Sequence, residues 1–236
     1  PGVNSHGINF VSSAIHAGAS AVLTDKIGYS NYFSNSNTSN VVFVVVENPR
    51  ETLARCAALW FEQQPAQIVA VTGTNGKTSV ASFCQQIWSN LDIEAVSIGT
   101  NGVRGAWTQP LRHTTPDALE MHQLLFNLKA NGIDHVALEA SSHGLDQSRL
   151  DGVQFSGACF TNFSQDHLDY HKSKDDYFEA KALLFRQLLT SDKTAVFNVN
   201  NNRIKLLAEE LKAQGNLVVT LGKSKGSNIE LERQTF

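Results

Sequence analysis

The stretch "IVAVTGTNGKTSVASF", residues 68–83, constrains this chain more than any other. Residues 68–71 form a short apolar run bounded by turn residues, which predicts a buried strand. From Thr78 onward, Val80, Phe83, Ile87 and Trp88 recur at helical spacing. Between strand and helix lies a small polar loop with Gly73 and Gly76, which permit backbone angles other residues avoid. Such a loop can aim successive N–H groups at one point, and the helix start adds unpaired N–H groups and partial positive charge. A phosphate belongs there, with Lys77 reaching its terminal oxygens and the Thr78 hydroxyl available to Mg²⁺. The usual pattern places a glycine six positions before the lysine, where this chain has Val71. The plainer reading is a strand–turn–helix with a surface lysine; the order strand, Gly-Lys-Thr, helix favours nucleotide binding.

The rest of the chain continues the alternation. Residues 10–17 read as a helix, 21–24 as a strand, 28–40 as a Ser/Asn-rich loop and 41–46 as an apolar strand stopped before Pro49. A helix over 51–63 closes this small α/β unit, and "QQPAQ" reads as a linker. Strands follow at 68–72, 94–98, 135–140, 157–163, 194–199 and 217–221, with helices at 78–90, 117–130, 175–189 and 201–213. In the second of these helices Leu119, Leu124, Leu125 and Leu128 form the apolar side. Strands alternating with helices predict an α/β fold, a mainly parallel sheet with helices on both faces. Ligands bind such sheets at the carboxyl ends of the strands.

Composition excludes some classes. At 236 residues, 42% hydrophobic and 17% charged, the chain is ordinary for a globular protein of one large or two small domains. A formal charge of −3 gives no reason to expect nucleic acid or a membrane surface as partner. No apolar run approaches the roughly 20 residues of a membrane span. Cys56, Cys84 and Cys159 are scattered and read as reduced core residues of a cytoplasmic protein. The chain begins at Pro1 and is expected to be a piece of a longer protein.

Other candidates should converge on the loop. Glu139 ends the run "HVALE" before the small turn "ASSHG", either placed to ligate Mg²⁺ or simply emerging at a strand end. "TNFSQDHLDYH" packs Asp166, His167, Asp169 and His171 into six residues. His167 and His171 lie one helical turn apart, a zinc-compatible spacing, yet no HExxH glutamate accompanies them. Lys181 has Tyr177, Phe178, Leu184 and Phe185 three or four positions away, so it lies on the apolar face of its helix. By pattern alone a snorkelling lysine is the commoner arrangement; a buried amine of lowered pKa is the alternative.

With "TGTNGKTS", "TTPDA", "LEASSHGLDQSRL", "FTNFSQDHLDYH" and "YFEAKALLF" in this order and spacing, the chain resembles the Mur ligases, and within them the branch that forms the UDP-MurNAc-tripeptide. The likeness is dense over residues 68–200 and looser over 1–67. The phosphate loop alone is shared with folylpolyglutamate synthetases. The resemblance implies a partial N-terminal UDP-MurNAc-binding domain over 1–66 and a central ATP-binding ligase domain over 67–236, incomplete at its C-terminal end. It implies an ATP-dependent amide ligase of peptidoglycan synthesis, adding meso-diaminopimelate or L-lysine to UDP-MurNAc-L-Ala-D-Glu through an acyl phosphate. Its cofactors would be ATP and Mg²⁺. ATP would be held by Gly73, Thr74, Asn75, Gly76, Lys77, Thr78 and Ser79. Mg²⁺ would be held by Thr78, Glu139 and His167, and the UDP-MurNAc-dipeptide by Thr114, Thr115, Ser141, Gln147 and Arg149. Lys77, Glu139, His167 and Lys181 would serve catalysis, Lys181 as a carbamate. His113 stands where an asparagine often precedes the Thr-Thr pair, and Gln165 where an arginine usually precedes Asp166, which leaves contacts at the substrate's edge open. The rival readings are a ligase with a folate acceptor and a nucleotide-binding module without chemistry of its own.

Overall fold

The computed structural model describes residues 5–35, 41–167, 169–223 and 226–232. Its centre is strand β3 (Gln67–Thr72), the strand that feeds the glycine loop. Around it lie β4 (Ala95–Gly99), β5 (Gly102–Gly105), β6 (His135–Glu139), β7 (Gly157–Phe160), β8 (Thr194–Asn198), β9 (Leu217–Gly222) and β10 (Ile229–Glu230). They form one sheet in the order β10-β9-β8-β7-β3-β6-β4-β5, parallel throughout except for the β4–β5 hairpin. The expected α/β sheet is therefore present. Its order puts the ends of β6 and β7 on either side of the end of β3, with Val71 paired to Glu139 and Thr72 to Phe160.

Alternation along the strands divides the core. Ile68 and Ala70, Val136 and Leu138, Val96 and Ile98 point to one face, against Met121, Leu125 and Leu128 of α5 (Ala118–Ala130). Phe160 and Phe197 continue that layer under α7 (Lys174–Leu183) and α8 (Asn202–Ala213), with the Phe160 and Phe185 rings stacked 5.8 Å apart. Val71 and Ala137 point to the other face, beneath Ala81 of α4 (Lys77–Asn90). Burial on both faces is why these strands read as apolar runs. Each fully buried Ile, Leu or Phe there contributes about 1.5–3 kcal/mol over exposure.

The small leading unit contains α1 (Val11–His16), preceded by a 3₁₀ turn at Gly7–Phe10, with β1 (Ala21–Thr24) paired in parallel to β2 (Val42–Val45). The Ser/Asn-rich stretch expected as loop is helical over its first part: α2 spans Lys26–Asn35. Tyr29, Tyr32 and Phe33, at helical spacing, pack on Phe43 at 5.0–5.8 Å between ring centroids, and that cluster outweighs the poor helix propensity around it. The remainder of that loop, residues 36–40, lies outside the described residues. Helix α3 (Pro49–Phe61) starts with Asn48 accepting from the Glu51 N–H and Pro49 in the first turn. It packs on α5 of the large sheet, where the Phe61 and Phe126 rings lie 5.9 Å apart.

Other expectations need correcting. Leu119 does not join the apolar side of α5; it is 50% exposed. On α4 the buried residue is Ala81, while Phe83 and Ile87 are 60% and 59% exposed, because a helix over a parallel sheet buries only a narrow stripe. The strand expected over 157–163 ends at Phe160, freeing the next residues for the loop described below. The helix expected over 175–189 becomes a π-helical turn from Leu184 to Leu188. Cys56 is exposed rather than in the core, and Cys84 and Cys159 are half-buried.

Candidate functional site

The loop of residues 73–76 is shaped by the neighbouring strand. Gly73 has φ 143°, and a Cβ on it would lie 2.0 Å from the Thr161 hydroxyl, so only glycine fits. Beyond β7, the Asn162 carbonyl accepts from the Thr74 N–H (3.0 Å), and the Asn162 side chain accepts from the Asn75 N–H (2.9 Å). Thr161 Oγ1 and Asn162 Nδ2 both donate to the Asn75 carbonyl, at 2.7 and 2.9 Å. The Ser164 N–H donates to Thr74 Oγ1 at 3.0 Å. α4 then begins at Gly76 with no side chain capping it, whereas α3, α5, α7 and α8 are each capped by an Asn, Asp or Ser. The first-turn N–H groups of α4 are thus left for a ligand, and the helix dipole favours an anion.

Three charged groups surround that turn. Lys77 Nζ folds back to donate to the Gly73 and Thr74 carbonyls at 2.9 and 2.8 Å. Burial pushes its pKa down, and the negative charges of Glu139 and Asp166 oppose that shift. Glu139, 2% exposed, accepts from the Thr78 hydroxyl (2.9 Å), the Thr100 N–H (2.8 Å) and the Thr100 hydroxyl (3.3 Å). A Cβ on Gly99 would sit 1.9 Å from its carboxylate oxygen, so the end of β4 must be glycine for the carboxylate to lie there. Lys181 is 1% exposed, donates to the Gly73 carbonyl at 2.9 Å and stands 4.5 Å over the Tyr177 ring. Burial, reinforced by the Lys77 charge and opposed by Asp166, brings its pKa down to about 7. This overturns the snorkelling reading: the apolar face of α7 is directed at the loop, and the amine is buried between the Gly73 carbonyl and the Tyr177 ring at the edge of the cleft.

The other candidates approach from the segment before α5 and from the turn after β6. Thr114 and Thr100 share a hydroxyl hydrogen bond of 3.1 Å. Thr115 Oγ1 donates to the Glu139 carbonyl (2.8 Å), lies 2.9 Å from Ser141 Oγ and accepts from the Ser141 N–H (3.1 Å). Ser141 caps the short α6 (Ser142–Asp146), which the sequence reading missed because five residues are too few to show a period. Arg149 donates to the Thr115 carbonyl (2.7 Å) and to Gln147 Oε1 (2.8 Å), so Thr115, Ser141, Gln147 and Arg149 form one hydrogen-bonded chain. His143, which the reading also missed, lies edge-on to His167 at 5.0 Å and against Tyr170 at 4.1 Å. His167 has φ 52°, in the left-handed region, and its backbone carbonyl accepts from the His171 N–H.

A cleft of about 560 Å³ joins these groups at the carboxyl ends of β3, β4 and β6. Thr74, Asn75, Gly76, Lys77 and Thr78 form its floor; Thr114, Thr115, Ser141 and Arg149 stand along one wall; Glu139, His167 and Lys181 also line it. Gly73, Ser79 and Gln147 do not line the cleft; Ser79 is exposed, and Gln147 is bonded to Arg149, which does line it. His113 and His143 line the cleft as well. Among the described residues no three His, Cys, Asp or Glu side chains converge to hold a metal by themselves, and His167 and His171 gather no third such ligand. The oxygen donors present, one carboxylate and the Thr78 and Thr100 hydroxyls, are the hard set that suits Mg²⁺ completed by phosphate and water. A second cavity, about 500 Å³, opens beyond Tyr170 and His171, where Arg186 is already paired with Glu179 and Glu210.

Comparison with known proteins agrees with this geometry. Residues 71–235 match the Mur ligase middle domain. The chain is 41% identical over 228 residues to the UDP-N-acetylmuramoyl-L-alanyl-D-glutamate--2,6-diaminopimelate ligase of Bradyrhizobium diazoefficiens, covering 94% of this chain and 44% of that protein. Identity is also 41% over 242 residues to the ligase of the same name from Caulobacter vibrioides, covering 100% and 48%. This chain therefore spans about half the length of the curated relatives it matches. A solved structure of a ligase with that name superposes with TM-score 0.77 at 30% identity, over 94% of this chain and 44% of that one. Escherichia coli FolC in complex with DHPP and ADP shares the fold at TM-score 0.55 and 18% identity, over 83% and 51%.

Proposed function

The chain belongs to the Mur ligase family, and from that premise we propose that it carries the nucleotide site of an ATP-dependent ligase acting on UDP-MurNAc-L-Ala-D-Glu. In this reading residues 1–66 belong to the UDP-MurNAc-binding domain and 67–236 to the ATP-binding domain of a cytoplasmic enzyme. The names of the relatives favour 2,6-diaminopimelate as the amino acid added. The observation that carries the proposal is the uncapped start of α4 with Lys77 on one side and buried Glu139 on the other, in one cleft with Thr115, Ser141 and Arg149.

The loop N–H groups and Lys77 receive the β- and γ-phosphates of ATP. Thr78 and Glu139 would hold Mg²⁺, with His167 in the same cleft as a further ligand, and the ion would supply charge neutralisation at the phosphates. Thr114, Thr115, Ser141 and Arg149 orient the UDP-MurNAc-dipeptide, with Gln147 fixing the Arg149 guanidinium. An oxygen of the dipeptide's terminal carboxylate attacks the γ-phosphorus, the bond to ADP breaks, and an acyl phosphate results. The incoming amine attacks the acyl carbon, loses a proton and expels phosphate. Carboxylate and polyphosphate repel each other, so cations and N–H dipoles around the cleft must offset that charge as it passes through the transition state. Lys181, with a pKa of about 7, keeps a neutral fraction able to take up CO₂ and release a proton, giving a carbamate. The new anion would leave the Gly73 carbonyl and the Tyr177 ring, both of which favour a cation.

Calorimetric titration of this chain with UDP-MurNAc-L-Ala-D-Glu, with and without a non-hydrolysable ATP analogue and Mg²⁺, tests the reading. Binding of both is expected. Binding of nucleotide together with a dihydrofolate acceptor but not the UDP-dipeptide would move the chain to the folate-type ligases, whose fold it shares.

A further inference from the structure

Asn162 is absent from the residues that the nucleotide reading uses, yet its side chain makes two hydrogen bonds to the loop. Its amide makes a reciprocal pair with one residue: Oδ1 accepts from the Asn75 N–H and Nδ2 donates to the Asn75 carbonyl, each at 2.9 Å. In an antiparallel pair a single residue offers the same two contacts; here one side chain supplies them, tying the loop to the end of β7 where the parallel β3–β7 ladder has stopped. We infer that Asn162 is a positioning residue that sets the direction of two loop peptides and so decides which N–H groups meet the phosphate. This rests on the nucleotide reading above.

A trans peptide is planar, with its N–H and C=O pointing in opposite directions. In the peptide joining Asn75 to Gly76, the carbonyl is held toward β7 by Asn162 and Thr161. The Gly76 N–H therefore points the other way, to the cleft side, beside the free N–H groups of α4. In the peptide joining Thr74 to Asn75, the N–H is held by Asn162, and the Thr74 carbonyl points oppositely, where it accepts from Lys77 Nζ at 2.8 Å. One side chain thus aims a donor at the anion and gives Lys77 its resting partner. With Asn162 removed, the Asn75–Gly76 peptide can flip and turn a carbonyl oxygen toward the phosphate, exchanging attraction for repulsion. Thr161 also holds that carbonyl, at 2.7 Å, so the flip must break its hydrogen bond as well; the Asn75 N–H, by contrast, is held by Asn162 and not by Thr161.

The test compares the unchanged chain with Asn162→Ala and Asn162→Asp. The probes are Mg²⁺ with a non-hydrolysable ATP analogue, and inorganic tripolyphosphate; affinity comes from calorimetry and amide protection from hydrogen exchange. Asn162→Asp keeps the acceptor but sets an anion against the Asn75 carbonyl and near the phosphates. Affinity for both probes should fall about 10–100-fold in Asn162→Ala and at least as far in Asn162→Asp. Protection should be lost at Asn75 and retained in β3 and β6. Unchanged affinity in both variants overturns the inference, as does protection lost equally through β3 and β6, which would mean general loosening. Failure of the unchanged chain to bind either probe overturns the nucleotide reading and this inference with it; only that outcome touches the reading itself.

Discussion

Lys181 and Glu139 are buried charged side chains whose surroundings treat them differently. Glu139 keeps three donors, while Lys181 has one carbonyl and a ring face. The lysine's folded pKa of about 7 lies below its ordinary 10.5, so between these values the unfolded chain binds more protons than the folded one. Stability should then rise with pH across that window, by up to about 1.4 kcal/mol per unit from this group. Urea unfolding from pH 7 to pH 9.5 should show the rise, and Lys181→Met should flatten it; an equal slope in both would mean the amine is solvated. In ¹³CO₂-equilibrated solution the unchanged chain should give a carbamate carbon signal that Lys181→Met lacks. Gly99→Ala tests the other charge. Its new methyl would force the Glu139 carboxylate aside, so Mg²⁺-dependent nucleotide affinity should drop at least tenfold, whereas metal-free affinity should change less. Lys181 also shows where residue-level reading stops. Its place on an apolar helix face was legible; that the face turns toward Gly73, 108 positions away in sequence, was not.

Elements follow the same division. Most strands and the helices α4, α5 and α8 were read to within a residue or two of their ends, because each carries its own signal: apolar runs for β3 and β6, an apolar stripe for α5 and α8, and a capping residue the reading left unused. β7 and α7 stop short of their expected ends, at Phe160 and Leu183. Asp117, which accepts from the Glu120 N–H at 3.0 Å, is such a signal, and Asp117→Ala should cost about 0.5–2 kcal/mol in thermal or urea unfolding. The elements missed are those held by partners rather than by period. α2 depends on Phe43 across from it, so Phe43→Ala should lose far-UV helical signal together with about 1–3 kcal/mol; loss of stability with helicity intact would count against that dependence. β5 is short and glycine-bounded, and is defined by its antiparallel pairing to β4.

For the whole molecule, the informative contact is between the leading unit and the sheet. α3 buries Ala54 and Ala57 and meets Phe126, and beyond it Gln64 donates to the Gly152 carbonyl and accepts from the Gln154 N–H. The stretch that reads as a linker is therefore bonded to the large unit. A chain beginning at Gln67 should melt several degrees below one beginning at Asn48, since it leaves the α5 surface bare; equal melting temperatures would make α3 dispensable. The fold class was legible in the sequence, because strand–helix alternation and the glycine loop are local patterns whose physics acts within a few residues; the family was legible only through the resemblance of its motif blocks. The loop's lysine, its hydroxyl and the strand-end carboxylate could be named from the same patterns. Thr161, Asn162, Thr100 and His143 could not, since each matters through a partner that only the strand order brings near. The sequence by itself determined most of the segments that become strands and helices, and a glycine loop between two of them suited to an anion. Tertiary structure decided which loop peptides are held and in what direction, because β7 lies beside β3 only once the sheet is assembled, and hydrogen bonds act over about 3 Å whatever the separation along the chain.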